Sequence, residues 1–299
     1  VALPVYRGKV RDVIDAGDHL VMVTSDRISA FDRPLGEIPG KGEVLNQLAL
    51  YWFEETADLV ENHILESLGP RSVAVNKAEM VPVEVVVRGY LTGSAWKEYS
   101  AGRSIPGLKV PAGMRAHQKL DTPQITPTTK APVGEHDEPI DREGILARGL
   151  CTPELWAKIE KTALKVFARG QELLAARGLI LVDTKYEFGL VEGRLVLCDE
   201  VHTPDCSRFW FADDYEAAFA EGREPRKLDK EYLRNWLSAQ GFTGHGPVPK
   251  IPAEVFEETK KRYVEAFERI TGRKFAFSGL AAQAEFEEIL SDLTEQSGT

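Results

Sequence analysis

The nine residues Leu181-Val182-Asp183-Thr184-Lys185-Tyr186-Glu187-Phe188-Gly189 set three charged side chains at alternate positions of an otherwise apolar stretch. Alternate residues of a β-strand share a face. Asp183, Lys185 and Glu187 therefore point one way and Val182, Thr184, Tyr186 and Phe188 the other, with one lysine between two carboxylates. Twelve residues after Glu187, the run Leu195-Val196-Leu197-Cys198 leads into Asp199-Glu200. Gly193 marks a turn that folds this second strand onto the first and brings Glu187 near Asp199. Two carboxylates at facing strand ends suit Mg²⁺, which takes one or two carboxylates and leaves its other positions to phosphate oxygens and water. The first expectation is a Mg-nucleotide enzyme. The plainer alternative is a solvated cross-strand ladder of opposite charges, worth up to ~1 kcal/mol per pair.

Other segments carry anion-binding chemistry. Gly8-Lys9-Val10-Arg11 reads as a strand with two cations on one face, and its glycine lets the backbone approach phosphate oxygens. In Arg88-Gly89-Tyr90-Leu91-Thr92-Gly93-Ser94 an arginine at a strand end precedes a glycine-containing turn, whose N–H and hydroxyl groups suit a substrate phosphate. Asp205, Ser207 and Arg208 follow Asp199-Glu200 on what reads as a loop, a second anion clamp close to the expected metal. Thr126-Pro127-Thr128-Thr129-Lys130 and Gly134-Glu135-His136-Asp137-Glu138 read as a lid, with oxygen-rich binding favoured over a transition-metal site at the single His136. Asp26-Arg27-Ile28-Ser29-Ala30-Phe31-Asp32-Arg33 fits recognition of an amino acid's charges and an ordinary salt-bridged loop equally well.

The elements that must position these groups are legible in outline. Residues 8–15 and 19–24 alternate as two strands of a hairpin, 46–62 carries apolar residues at helical spacing, and 82–88 reads as a strand. Residues 102–139 read as a long irregular segment of the kind that is functional or disordered. Helices are expected over 153–177, closed by Gly178, over 229–239, and over 252–271, closed by Gly272, with a weaker one over 275–291.

Composition limits the function classes. The 299 residues, 43% hydrophobic, are enough to bury a sizeable core. A net charge of −10 argues against a nucleic-acid binder that works by bulk electrostatics, while a local pocket for a small anion remains compatible with it. Three cysteines without C-x-x-C spacing suggest neither a disulfide framework nor a zinc site, so a reducing cytoplasm is expected. The expectation is also of no membrane span and no signal peptide, since no apolar run approaches ~20 residues and the start lacks a basic flank.

Two of these segments resemble the signatures of the SAICAR synthetase family, the phosphoribosylaminoimidazole-succinocarboxamide synthases of purine biosynthesis. They are Met80-Val81-Pro82-Val83-Glu84-Val85-Val86-Val87-Arg88-Gly89-Tyr90-Leu91-Thr92-Gly93-Ser94 and the strand 181–189. The similarity extends from Tyr6-Arg7-Gly8-Lys9-Val10-Arg11-Asp12 to Ser207-Arg208-Phe209-Trp210, about two thirds of the chain. Arg11 stands where many relatives carry a second lysine, so only the charge is kept.

The resemblance implies an α+β, ATP-grasp-like fold: antiparallel sheets with flanking helices and a helical C-terminal part. The expected regions are an N-terminal nucleotide-phosphate-binding domain over 1–80, a central ATP-grasp-like domain with the catalytic hairpin over 81–215, and a helical region over 216–299. It further implies ligation of CAIR, the carboxylated aminoimidazole ribotide, to L-aspartate at the expense of ATP. Lys9, Arg11 and Lys130 would meet ATP phosphates, and the segment from Met80 to Glu84 would hold adenine through its backbone. Glu187 and Asp199 would hold Mg²⁺. Arg88, Ser94 and Arg208, with Asp205 and Ser207 nearby, would take the CAIR phosphate, and Asp183 and Lys185 would lie near its imidazole and carboxylate. A monomer or homodimer is expected. A small-molecule kinase that stops after phosphoryl transfer and a non-catalytic nucleotide-binding regulator are the alternatives.

Overall fold

The computed structural model describes residues 3–130 and 137–296. In chain order the first elements are β1 (Val5–Arg7), β2 (Arg11–Asp15), β3 (His19–Thr24), β4 (Arg27–Ala30), β5 (Arg33–Glu37), α1 (Lys41–Glu55), β6 (Glu61–Asn62), β7 (Ile64–Gly69), β8 (Ser72–Asn76) and β9 (Glu79–Leu91). There follow α2 (Gly93–Ser100), β10 (Gln118–Ile125), β11 (Thr128–Thr129), α3 (Arg142–Ala147), α4 (Pro153–Ala175), β12 (Leu179–Val191), β13 (Arg194–Cys198) and β14 (Ser207–Phe211). Helices α5 (Ala212–Glu221), α6 (Glu231–Ala239), α7 (Ala253–Thr271) and α8 (Ala282–Gln296) complete the chain. These are antiparallel sheets with flanking helices and a helical C-terminal part, the α+β class expected. The chain forms two compact units, one of residues up to Tyr51, His63–Lys77 and those from Leu228 on, the other of Trp52–Asn62 and Ala78–Lys227. Most of regions 1–80 and 216–299, separate in the sequence reading, thus share one unit.

The first unit is built on a five-stranded antiparallel sheet in the order β1-β2-β3-β8-β7. Ile14, Val21 and Val23 of that sheet pack with Phe286 and Ile289 of α8, and each fully buried side chain of this size contributes about 1.5–3 kcal/mol. Arg71, 1% exposed, is matched by Asp26 at 2.7 Å, Glu43 at 3.3 Å and Glu285 at 3.4 Å.

The second unit is a seven-stranded sheet in the order β10-β9-β12-β13-β6, with β11 on β9 and β14 on β12. Helix α4 packs on β12 and β9. Thr152 caps it by accepting a hydrogen bond from the Leu155 N–H, Pro153 occupies its first turn, and Gly178 turns the chain with φ of 71° beyond its end. Its buried residues Trp156, Ile159, Ala163, Val166, Phe167, Gly170 and Leu174 recur at helical spacing. On β9, Val81, Val83, Val85 and Val87 are buried at strand spacing, in register with the apolar set of β12: Thr184 faces Val87 and Tyr186 faces Val85. The polar alternates of both strands share the opposite face.

Several elements differ from expectation, each for a physical reason. Helix α1 starts at Lys41 because Asp26, far away in sequence, accepts from the N–H groups of Gly40 and Gly42, and it stops at Glu55 where the chain turns into β6. Gly8 and Lys9 lie in a bend closed by the Gly8 N–H to the Arg11 carbonyl at 2.8 Å, so Lys9 and Arg11 do not share a strand face. The irregular segment contains β10 and β11. Pro123 sits in β10, at the edge of the sheet, where the register with β9 shifts between Lys119 and Gln124. Strand β9 runs through Gly89 to Leu91, so Arg88 is inside a strand rather than at its end. The last helix begins at Ala282 instead of Phe275.

Candidate active site

The pairing of β9 with β12 assembles the charged face. Asp183 lies opposite Arg88, Lys185 opposite Val86 and Glu187 opposite Glu84. On the other side of β12, the two-residue turn Glu192-Gly193, with φ of 51° and 74°, returns β13 so that Glu187 pairs with Cys198. Asp199 is the next residue, itself in the left-handed region at φ 65°.

Around Glu187 the groups form a lysine–carboxylate cluster. Lys185 Nζ is 2.8 Å from Glu84 Oε1, Lys130 is paired with Glu187, and the Thr128 hydroxyl donates to Glu84 Oε2 at 3.4 Å. Burial works against the Lys185 ammonium, yet Glu84, Glu187 and Asp199 outweigh it and hold its pKa above the ordinary lysine range. The same balance, with Glu187 dominant among the carboxylates, raises Lys130. Both are ammonium ions at neutral pH and serve as fixed positive charges, not bases. Burial, reinforced by Glu187 and Asp199, pushes the Cys198 thiol up to about 12, so both carboxylates act on the hairpin end between them. Among the described residues no group of three or more His, Cys, Asp or Glu side chains is arranged to hold a metal ion. The hard carboxylate oxygens of Glu187 and Asp199 nevertheless fit Mg²⁺, which needs no all-protein cage when phosphate oxygens complete its shell.

Farther along the same face lies a cationic cluster. Arg88, 9% exposed, donates from Nε to Thr126 Oγ1 at 2.7 Å and from Nη2 to Ser94 Oγ at 3.4 Å, and its Nη1 is 3.8 Å from Asp183. Arg208 donates from Nη1 to the same Asp183 Oδ2 at 2.8 Å. Burial lowers the Arg88 pKa, opposed by Asp183 and assisted by Arg208. Two guanidinium groups thus meet at one carboxylate, and their planar N–H donors are of the kind that binds phosphate or carboxylate oxygens. Gly93 holds φ of 59° at the start of α2, and a Cβ there would lie 2.5 Å from Arg208 Nη2. The N-cap Thr92 makes no side-chain bond to the helix N–H groups, and Ser94 lies in the first turn.

The expected clamp of Asp205, Ser207 and Arg208 is divided. Ser207 and Arg208 are neighbours on β14, so their side chains alternate: Arg208 reaches Asp183, while the Ser207 hydroxyl bonds Thr184 at 2.7 Å on the opposite face. The Asp205 N–H donates to Thr203 Oγ1 at 3.3 Å. In the first unit, Lys9 pairs with Asp32 at 2.7 Å, and Arg11 opens β2, its charge adding to the burial that pushes His63 down to about 3. Asp26 is committed to Arg71 and the α1 N-terminus, the salt-bridged reading of its loop. Gly134, Glu135 and His136 lie outside the described residues, and Glu138 pairs with Arg148 at 3.2 Å. Sequence reasoning missed Thr126 as the partner of Arg88 and Gly93 as the seat of Arg208. The Gly-Ser at 93–94 was a signal for the latter, and a threonine 38 residues from Arg88 gives none.

Comparison with known proteins gives the family of the chain. The family model described as SAICAR synthetase matches residues 4–249. The phosphoribosylaminoimidazole-succinocarboxamide synthase of Bacteroides fragilis is 50% identical over 276 residues, covering 91% of this chain and 88% of the relative. A putative phosphoribosylaminoimidazole-succinocarboxamide synthase 2 of Mesorhizobium japonicum is 48% identical over 277 residues, with 90% and 88% covered. The structure of the Saccharomyces cerevisiae SAICAR synthase complexed with SAICAR superposes with a TM-score of 0.79 at 35% identity, covering 92% of this chain and 97% of that one. A SAICAR synthetase in complex with ADP gives 0.71 at 30% identity, with 92% and 100% covered. On its residues, its fold and these matches, the chain belongs to the SAICAR synthetase family.

Proposed function

We propose that this protein is the ATP-dependent ligase that joins CAIR to L-aspartate, giving SAICAR, ADP and phosphate. The observation that carries the reading is the placement of two clusters on one face of β9 and β12, cationic at Arg88, Asp183 and Arg208 and lysine–carboxylate at Glu84, Lys185 and Glu187. The paired positions 183/88 and 187/84 lie four residue steps apart along the strands, about 13 Å.

In this reading Arg88, Ser94 and Arg208 hold the ribotide phosphate, and Asp183 and Lys185 lie along its imidazole and carboxylate. Glu187 and Asp199 would hold Mg²⁺, which supplies charge neutralisation for phosphoryl transfer. Lys130 meets ATP phosphate in the second unit, and Lys9 and Arg11 are the phosphate candidates of the first. The Met80–Glu84 segment would hold adenine through its backbone. Asp205 stays with Arg208 as a candidate beside the ribotide phosphate, whereas Ser207, turned to Thr184 on the opposite face, is given no contact with substrate.

A carboxylate is a poor acyl donor, so it must be activated. A carboxylate oxygen of CAIR attacks the γ-phosphorus of ATP, the bond from that phosphorus to the bridging oxygen breaks, and ADP leaves. The aspartate amine then attacks the acyl carbon, the carbon–oxygen bond to phosphate breaks, and the nitrogen sheds its proton. Lys185 and Lys130, held as cations, stabilise the negative charge on the transferring group, and such transfer depends mainly on positioning and charge. A cytoplasmic enzyme fits the free state of Cys151, Cys198 and Cys206, and among the described residues no helix is long and apolar enough to cross a membrane.

The test is ADP release from ATP, Mg²⁺ and CAIR, with and without L-aspartate, while product mass is followed. Aspartate-dependent ADP with a succinocarboxamide product is expected. ADP release indifferent to aspartate would point to a kinase or to an uncoupled acyl-phosphate step, and absence of turnover would make it a binding protein.

A further inference from the structure

We propose that Tyr186 and His202 form a buried strut that positions Asp199 and Arg208, so that both act as positioning residues for the reaction. The proposal rests on the assignment of Asp199 and Arg208 made above.

Tyr186 lies between Lys185 and Glu187 on β12, and the alternation that aims those two at the candidate site turns Tyr186 to the opposite face. There its hydroxyl is hydrogen-bonded to His202 Nε2, and both side chains are completely buried. His202 belongs to the loop between β13 and β14, which begins at Asp199 and delivers Arg208. Two of its residues other than glycine have left-handed backbone, Asp199 at φ 65° and His202 at φ 47°. Such conformations are disfavoured for residues with a side chain and persist only where surrounding contacts impose them.

The contacts at His202 are specific. Trp52 meets its ring edge to face at 4.6 Å between centroids. Gly170 of α4 lies so close that a Cβ there would be 2.5 Å from His202 Cε1 and 2.8 Å from Nδ1. Nδ1 is buried without a hydrogen-bond partner, so the Tyr186 hydroxyl is the polar contact of this ring. Burial pushes the imidazole down to about 3, and the bond joins two neutral groups across the physiological range. Removing the hydroxyl would leave a buried imidazole with neither nitrogen satisfied, on a strained loop whose two ends carry candidate ligand groups. The strut acts through the position of those ends and touches no substrate.

The experiment compares Tyr186→Phe, His202→Gln and Arg208→Ala with the unaltered protein. It reads the equilibrium Kd for SAICAR by calorimetry without turnover, the KM values for CAIR and ATP, and Tm. Loss of one hydrogen bond in a positioning role is expected in Tyr186→Phe to raise the SAICAR Kd and the CAIR KM together by about three- to tenfold, with the ATP KM within about twofold. His202→Gln, whose amide can still meet the Tyr186 oxygen, should show a smaller rise. If Tyr186→Phe lowers Tm but leaves the SAICAR Kd and CAIR KM within about twofold of wild type, the pair is a packing contact only and the proposal is overturned. Should Tyr186→Phe fail to fold, His202→Phe, which removes the same hydrogen bond and keeps a ring against Trp52, decides by the same two quantities. Arg208→Ala separates the two levels: an unchanged SAICAR Kd there overturns the site assignment and the strut with it, whereas a raised Kd beside an unmoved Tyr186→Phe overturns the strut alone.

Discussion

Lys185 Nζ lies 2.8 Å from Glu84 Oε1, a contact made diagonally across β9 and β12, past the residue directly opposite, Val86. The diagonal keeps the ammonium on the face that carries Asp183 and Glu187, where three carboxylates hold it charged. Its folded pKa is raised, so the pairing stabilises the protein fully below the unfolded lysine value of about 10.4 and is lost only as pH climbs through the still higher folded value. The rate profile should therefore show no limb from Lys185 deprotonation between pH 6 and about 10. Lys185→Met should lower kcat by ~10²-fold or more, the scale for removing a preorganised charge aimed at the transition state.

The assignment of Arg88 and Arg208 to the ribotide phosphate predicts a split between substrates. Arg88→Ala should raise the CAIR KM far more than the ATP KM, and the reverse pattern would reassign Arg88. Thr126→Val leaves the buried Arg88 Nε without its acceptor, a loss of about 1–3 kcal/mol, and should raise the CAIR KM by roughly tenfold. Thr126→Ser should recover most of it. Steady-state kinetics with each substrate varied in turn is the check.

Gly93 tests the seat of Arg208. Alanine there must adopt φ near 59° and must push the guanidinium aside. Gly93→Ala should weaken SAICAR binding several-fold in calorimetry and lower Tm by a few degrees, since a left-handed alanine costs roughly 1–2 kcal/mol. Unaltered SAICAR binding would place the phosphate elsewhere.

Asp199 carries the metal assignment. Asp199→Asn keeps the shape of the side chain, which can still adopt the left-handed backbone, and removes the charge. It should shift the Mg²⁺ concentration for half-maximal rate upward by about tenfold or more while SAICAR affinity in metal-free buffer stays near wild type. Turnover with wild-type Mg²⁺ dependence would remove Asp199 from the metal site.

The charged face was legible because strand period alone sets it: Asp183, Lys185 and Glu187 alternate in the sequence, and Gly193 marks the turn that returns Asp199. What escaped depends on partners far away in the chain. Pro123 and Pro127 made 102–139 look irregular, yet β10 and β11 form because β9 offers its edge and a register shift accommodates Pro123. Ser207 and Arg208 read as one loop, and only pairing with β12 sends their side chains to opposite faces. The start of α1 was misplaced because its capping group is Asp26, outside the local window. The Tyr186–His202 bond had no local signal at all, since neither residue type at that spacing implies contact.

The account turns on the CAIR carboxylate receiving the γ-phosphoryl group before the aspartate amine attacks its carbon, and ¹⁸O transfer tests the acyl phosphate most directly. CAIR labelled with ¹⁸O in its carboxylate is turned over with ATP and L-aspartate, and the released phosphate is analysed by mass. The acyl-phosphate route predicts one labelled oxygen in each phosphate released, since the carbon–oxygen bond is the one that breaks. Phosphate free of label, with SAICAR formed, would contradict it.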